Sequence, residues 1–156
     1  MAKRRKKQVP KGVHPYVVKY RARLDTAWRK AVYEEGKGVC FITGESKNVN
    51  AHHIIDRRCY SSRWNVDNGL LLSPLNHKWS PNKGIHNNPL FVLHQLQLYD
   101  NDRWDRIIDL ALYAKTLHEM TEKEQKELVI EVLRELRPDL WRKDFTKYNR
   151  PKVDND

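Results

Sequence analysis

Only one stretch of this chain, residues 39 to 72, departs from helical spacing, and it constrains the fold more than any other feature. There the apolar residues come in the short runs VCFI, VNAHHII and GLLL, broken by turn formers such as Thr43-Gly44 and Asp67-Asn68-Gly69. Runs of that length between turn signals read as strands. On either side the pattern is helical, so the chain reads as α+β: a small β element set among helices.

Upstream, Pro15 suits the first position of a helix, and Val17, Tyr20, Leu24, Ala27, Trp28 and Ala31 recur at helical spacing until Gly36 and Gly38 stop it. Downstream, Pro74 opens a short helix carrying His77, Lys78 and Trp79, and the loop SPNKGIHNNP follows. Three apolar stripes come next: Leu90, Leu93 and Leu96; Trp104, Ile107, Ile108 and Ala111; and Leu128, Val132, Leu133 and Leu136 behind the capping signal Thr121-x-x-Glu124. Stripes of this kind are core and carry no chemistry. Pro138 is expected to end the last helix. The division that results is a basic flexible arm over 1–14, a core with its leading helix over 15–88, a C-terminal region of about three helices packed on it over 89–142, and a polar tail over 143–156.

The length of 156 residues suits one domain, and 39% hydrophobic residues can support its core. Two cysteines, Cys40 and Cys59, are too few for a disulfide framework and fit a reducing compartment. No apolar run approaches the ~18 residues that span a bilayer, and none follows the basic start of the chain. The expectation is a soluble, cytoplasmic protein with no membrane partner. The net charge of +10 points to a polyanionic partner, although Lys3, Arg4, Arg5, Lys6 and Lys7 supply five of the ten. An arm of that kind adds nonspecific phosphate affinity, and a nuclear import signal looks the same.

Residues 51 to 80, AHHIIDRRCYSSRWNVDNGLLLSPLNHKWS, hold the informative constellation. Adjacent His52 and His53 are followed after fourteen residues by Asn68, and after eight more by His77. Neighbours on a strand point to opposite faces, so the two histidines are expected to do different jobs.

The segment resembles the motif of the HNH nucleases, also called ββα-metal or His-Me finger nucleases, and its HH-x14-N-x8-H spacing is similar to that of the colicin-type nuclease domains. The resemblance implies a β-hairpin and short helix around one divalent ion. His52 and His77 would be ligands, His53 the general base, and Asn68 a residue that helps hold the base or the hairpin. Mg²⁺ is the expected ion, with Mn²⁺, Ni²⁺ or Zn²⁺ equally suited to imidazole. A phosphodiester repels hydroxide, so its hydrolysis calls for a cation on the phosphate and a base for the water; imidazole serves as that base near neutral pH. Products would end in 5′-phosphate and 3′-hydroxyl.

Two departures from the family pattern matter. The colicin-like motif has a further histidine four positions after His77, where this chain has Pro81. His86 is the first choice as replacement, with Asp56, Asp67 or water as the others. Many HNH proteins also bind a structural zinc through two CxxC pairs; the matching positions here are Cys40 with Thr43 and Ser73 with Asn76, one thiol of four. No structural zinc is expected there. A zinc site joining Cys40, Cys59 and two histidines is the alternative.

Arg57, Arg58, Arg63, Lys78 and Lys83 outnumber Asp56 and Asp67 around the motif and are candidates for phosphate contact. Trp64 and Trp79 could stack on a base, with core packing the plainer role. The function expected is a DNA endonuclease, nicking or cutting. The loop HKWSPNKGIHNNPLF resembles HNH proteins of bacteriophages, including those acting on branched recombination or packaging intermediates. A homing endonuclease, a noncatalytic DNA-binding accessory, and an RNase or toxin are the alternatives, and a homodimer is compatible with the C-terminal helices.

Overall fold

The computed structural model describes residues 9–79 and 84–145, with the side chains of Lys78 and Trp79 excepted. The basic arm at residues 3 to 7, Pro81, Lys83 and most of the polar tail lie outside the described residues. The elements run α1 (Pro15–Glu35), β1 (Asn50–His53), α2 (Tyr60–Arg63), a 3-10 turn (Val66–Asn68), β2 (Gly69–Leu72), a π-helical turn (Leu75–Trp79), α3 (Pro89–Tyr99), α4 (Asn101–Leu112), a second 3-10 turn (Leu117–Glu119), α5 (Glu122–Leu136) and α6 (Pro138–Phe145). This is an α+β chain, mostly helical, with one two-stranded antiparallel sheet. No described helix is long and apolar enough to cross a membrane.

The long helix α1 starts where its sequence allows. Pro15 occupies the first turn, and the His14 ring accepts from the Tyr16 N–H at 3.1 Å, satisfying one of the donors a helix start leaves over. It stops where Lys37 and Gly38 turn left-handed, at φ 53 and 69. Val17, Tyr20, Leu24, Trp28 and Val32 form its buried stripe. That stripe meets Val129, Val132 and Leu133 of α5, and Leu140, Trp141 and Phe145 of α6 close the same core. The capping box of α5 is made as the sequence reads, with Thr121 and Glu124 bonded in both directions.

All four residues of β2 are buried, and their alternation divides the interior. Leu71 faces the α1–α5 core, whereas Leu70 and Leu72 face a second core with Ile85, Val92, Leu96 and Ile107. The register pairs Ala51 with Leu71, His52 with Leu70 and His53 with Gly69. Cross-strand partners share a face, so His53 is placed toward α1 and His52 toward the second core.

Arg103 of α4 ties the second layer to the hairpin. It is almost wholly buried and donates to three carbonyls, those of Val66 at 3.2 Å, Asp67 at 3.0 Å and Gly69. Burial pulls its pKa down from the usual guanidinium value, and the charges of Asp67 and Asp100 oppose that.

Several expectations are corrected. VCFI is not a strand: Cys40 donates to Glu45, Gly44 donates to Cys40, and Gly44 takes φ 72, so the Thr43-Gly44 turn folds the run into a knuckle. Only the Phe41 N–H reaches β2, at the Leu71 carbonyl. In VNAHHII only residues 50 to 53 pair. On α3, Val92 and Leu96 are buried while Leu90 is 74% exposed; on α4, Ile107 is buried while Ile108 and Ala111 turn outward. The stripes are rotated because both helices meet the hairpin side of the second core. Pro138 does not end the helical region but opens α6, which runs past residue 142 to Phe145.

Gly69 permits the closest contact of the layers. A Cβ there would collide with Val32 Cγ2 and lie 2.9 Å from the Trp28 ring. Gly69→Ala is therefore expected to force α1 off the hairpin at a cost of roughly 1–3 kcal/mol, read as a lower denaturant midpoint at unchanged slope; an unchanged midpoint would mean that α1 yields freely.

A histidine triad and a separately held histidine

Three imidazoles from three places in the chain meet on the second-core face of the hairpin. His52 comes from β1 and His77 from the π-helical turn, whose His77 N–H is bonded to the Ser73 carbonyl at 2.8 Å. His86 comes from the turn before α3, a turn positioned by buried Ile85, whose N–H meets the Asn76 carbonyl at 2.8 Å. Ring centroids are 4.6 Å apart for His52 and His77, and 4.9 Å for each of the other two pairs. One ligand nitrogen from each ring lies within 4.8 Å of the others, and among the described residues no second such group of metal-binding side chains occurs.

Burial pushes the His52 imidazole down to about 3, with repulsion from His77 and His86 adding to it. The ring is neutral at neutral pH, with a lone pair to offer. Nitrogens at ~2.1 Å from a tetrahedral ion would stand roughly 3.4 Å apart, and His77 Nε2 and His86 Nε2 are 3.3 Å apart. The three side chains could hold a metal ion.

Asp56 and Asp67, the carboxylates that could stand in place of His86, are engaged elsewhere. Asp56 is paired with Arg58 at 3.0 Å and Asp67 with Arg106 at 2.8 Å. Cys40 is buried in the knuckle, while Cys59 lies at the bridge to Thr116, so the two thiols do not join the histidines.

His53, next in sequence, is held apart on the opposite face. Its ring stacks on Trp28 of α1 at 3.8 Å, nearly parallel. Its Nε2 is 2.9 Å from the Arg63 carbonyl. A carbonyl only accepts, so Nε2 carries the proton and Nδ1 keeps its lone pair. Burial lowers the pKa of this ring below its usual value, against the opposing effect of the Arg63 carbonyl.

That carbonyl is itself fixed. Asp25 of α1 accepts from Arg63 Nε and a terminal nitrogen, each at 2.8 Å, and from Trp64 Nε1 at 2.8 Å. Arg63 also donates to the Arg57 carbonyl at 2.7 Å. Asn68 makes no bond to His53. Fully buried, it accepts from the Ile55 N–H at 2.6 Å and donates to the carbonyls of Ile55 and Ser62, at 3.2 and 3.0 Å. It locks the loop that ends in Arg63, and so positions the histidine at one remove.

The candidate phosphate contacts divide. Arg57 is exposed with no carboxylate partner among the described residues, and Arg58 is exposed but paired with Asp56. Arg63, with a side chain 12% exposed, is turned inward onto Asp25, because the bidentate carboxylate and Trp64 enclose it. Lys83 and the Lys78 and Trp79 side chains lie outside the described residues. Trp64 is buried in the α1 core.

Cys40, Thr43, Ser73 and Asn76 do converge. Asn76 Nδ2 lies 3.7 Å from Cys40 Sγ and 3.1 Å from Ser73 Oγ. Burial would raise the Cys40 thiol, but hydrogen bonds from the Thr43 side chain and from the Ser73, Thr43 and Ile42 backbone outweigh it and lower its pKa. Hydrogen bonds thus staple the knuckle to the turn that carries His77.

Asp25, Trp28 and Arg103 are the residues that sequence reading missed. Asp25 had one signal: an acid one step round the helix from a buried stripe, three residues before Trp28. Comparison of the chain with family models, curated proteins and solved structures finds no match.

Burial would raise the Asp25 carboxyl, but the hydrogen bonds from Arg63 and Trp64, with the nearby charge of Arg21, hold it below 3.8. A depressed carboxylate contributes stability that is present above its unfolded pKa and lost as pH falls through the folded one. Arg63, Arg21 and His53 are the charged or titratable groups that face it. Asp25→Asn is expected to cost about 1–3 kcal/mol at pH 7. The gap to wild type should shrink as the pH falls below about 4; a gap independent of pH would place the stabilisation elsewhere.

Proposed function

We propose that this chain is a metal-dependent DNA endonuclease of the ββα-metal (HNH) type, with β1, β2 and the turn Leu75–Trp79 as its ββα element. One observation carries the reading: consecutive residues of one strand, His52 and His53, serve two distinct places, the first in a triad with His77 and His86, the second alone with an acceptor nitrogen free and its other nitrogen anchored. A structural histidine cluster has no need of the second arrangement.

His52, His77 and His86 would hold the ion. When bound, a divalent ion there supplies Lewis-acid stabilisation of the charge on the phosphate and on the departing oxygen. Three imidazoles suit Mn²⁺, Ni²⁺ or Zn²⁺; Mg²⁺ would take most of its shell from water and phosphate. His53 Nδ1 accepts a proton from the attacking water as its oxygen bonds to phosphorus. The bond from phosphorus to the 3′ oxygen breaks, and that oxygen is protonated from solvent. The Arg63 carbonyl keeps the ring in the tautomer this step needs and stabilises the imidazolium that forms. Trp28 fixes the ring plane and shields one side from water.

The test is nicking of supercoiled plasmid in Mg²⁺, Mn²⁺, Ni²⁺ and Zn²⁺, with a chelator as control. His53→Ala is expected to retain metal binding and to lose roughly 10²–10⁴-fold in rate; undiminished nicking would remove His53 as the base. His77→Ala should weaken binding of Mn²⁺ or Zn²⁺ by calorimetry at least ~10-fold, and the stabilisation of wild type by added metal should vanish with it. Tight metal binding with no cleavage of any DNA form would instead mark a noncatalytic DNA-binding protein.

A further inference from the structure

The leading helix α1 carries a line of charge that packing does not explain. Its stripe Val17, Tyr20, Leu24, Trp28 and Val32 is buried. One step round the helix lies Asp25, tied to Arg63 and Trp64 beside His53. Arg21 and Arg29 stand four residues before and after Asp25, on the same line of the helix surface, and both are exposed.

Neither has a carboxylate partner among the described residues. Asp25 is engaged by Arg63 and Trp64, and Arg29 touches it only through Nε and the Asp25 backbone carbonyl, at 3.1 Å, so that no bond among the described residues takes up the two terminal nitrogens of exposed Arg29. Arg21 lies close enough for its charge to act on Asp25. Arg57 stands on the neighbouring loop: its carbonyl receives the Arg63 guanidinium, its charge acts on His53, and the residue is exposed with no ion-pair partner among the described residues. By contrast Lys19 is paired with Asp144, Lys30 with Glu34 and Arg58 with Asp56.

We propose that Arg21, Arg29 and Arg57 form a phosphate-binding rim on the His53 side of the site, so that a DNA backbone runs along α1. The proposal takes its substrate class from the nuclease reading and adds the path. Two exposed guanidinium groups along one line of α1, with a third on the loop that Arg63 ties beside His53, match the repeating charge of a nucleic-acid strand, whose phosphates guanidinium contacts in a forked geometry. Arg23 supplies an internal control. It too is exposed and has no ion-pair partner among the described residues, but at about 100° per residue it lies roughly 200° round the helix from Asp25, on the other side.

The test is equilibrium binding of a short fluorescein-labelled DNA duplex by anisotropy across a series of salt concentrations, with a chelator present so that no cleavage occurs. Each lost phosphate contact lowers the slope of log affinity against log salt by about 0.9. Arg21→Ala, Arg29→Ala and Arg57→Ala are each expected to lower it by about that amount, while Arg23→Ala leaves it unchanged. The substituted side chains are exposed, and an unchanged melting temperature confirms the fold. Slopes for Arg21→Ala and Arg29→Ala that equal the Arg23→Ala slope overturn the rim, as does a wild type with no affinity for the duplex. Because the reading is binding without metal, a protein that binds along the rim yet never cleaves would sink the nuclease reading and leave the rim standing.

Discussion

A strand buried on both faces is the constraint on which this molecule depends. Successive side chains of β2 must point to opposite sides, and here both sides are core, so Leu71 enters one and Leu70 with Leu72 enters the other. A slip of one residue would exchange every contact at once. The register is therefore tightly held, and β1 inherits it. His52 and His53, chemically identical neighbours, are delivered to different surroundings by backbone geometry alone.

What each surrounding does to its imidazole follows from packing. On the second-core side, the π-helical turn and the Ile85 turn bring two more rings to His52, and its own burial, with their repulsion, disfavours a proton on His52. On the α1 side, the absence of a side chain at Gly69 lets α1 approach until Trp28 lies flat on His53. The same approach brings Asp25 to Arg63. One helix thus supplies the ring's stacking partner and, through Asp25, the tether of the carbonyl that orients it. The buried polar groups of this region are mutually satisfied, and no buried side-chain nitrogen or oxygen among the described residues lacks a partner.

Much of this was legible in the chain. The α1 stripe, the Thr121 capping box, the short helical turn with His77 and the opposite facing of His52 and His53 all follow from local periodicity and strand alternation, which depend on neighbours in sequence. The errors share a cause. VCFI has strand composition, but its Thr43-Gly44 turn folds back on Cys40 and wins. Leu90 fits the spacing of α3, yet the direction from which the hairpin is met selects Val92 and Leu96. Pro138 reads as a stop, and the α1 core makes it a start by giving α6 somewhere to pack.

By itself the sequence determined which residues could do chemistry and that adjacent histidines would face opposite ways, because strand geometry is a property of the backbone. Only tertiary structure decided that His86 joins His52 and His77, that Asn68 bonds the Ile55 and Ser62 backbone and not His53, and that Asp25, thirty-eight residues away in sequence, holds Arg63. Those are long-range contacts. They exist because two cores close on a common strand, and no local pattern encodes which distant side chains that closure brings together.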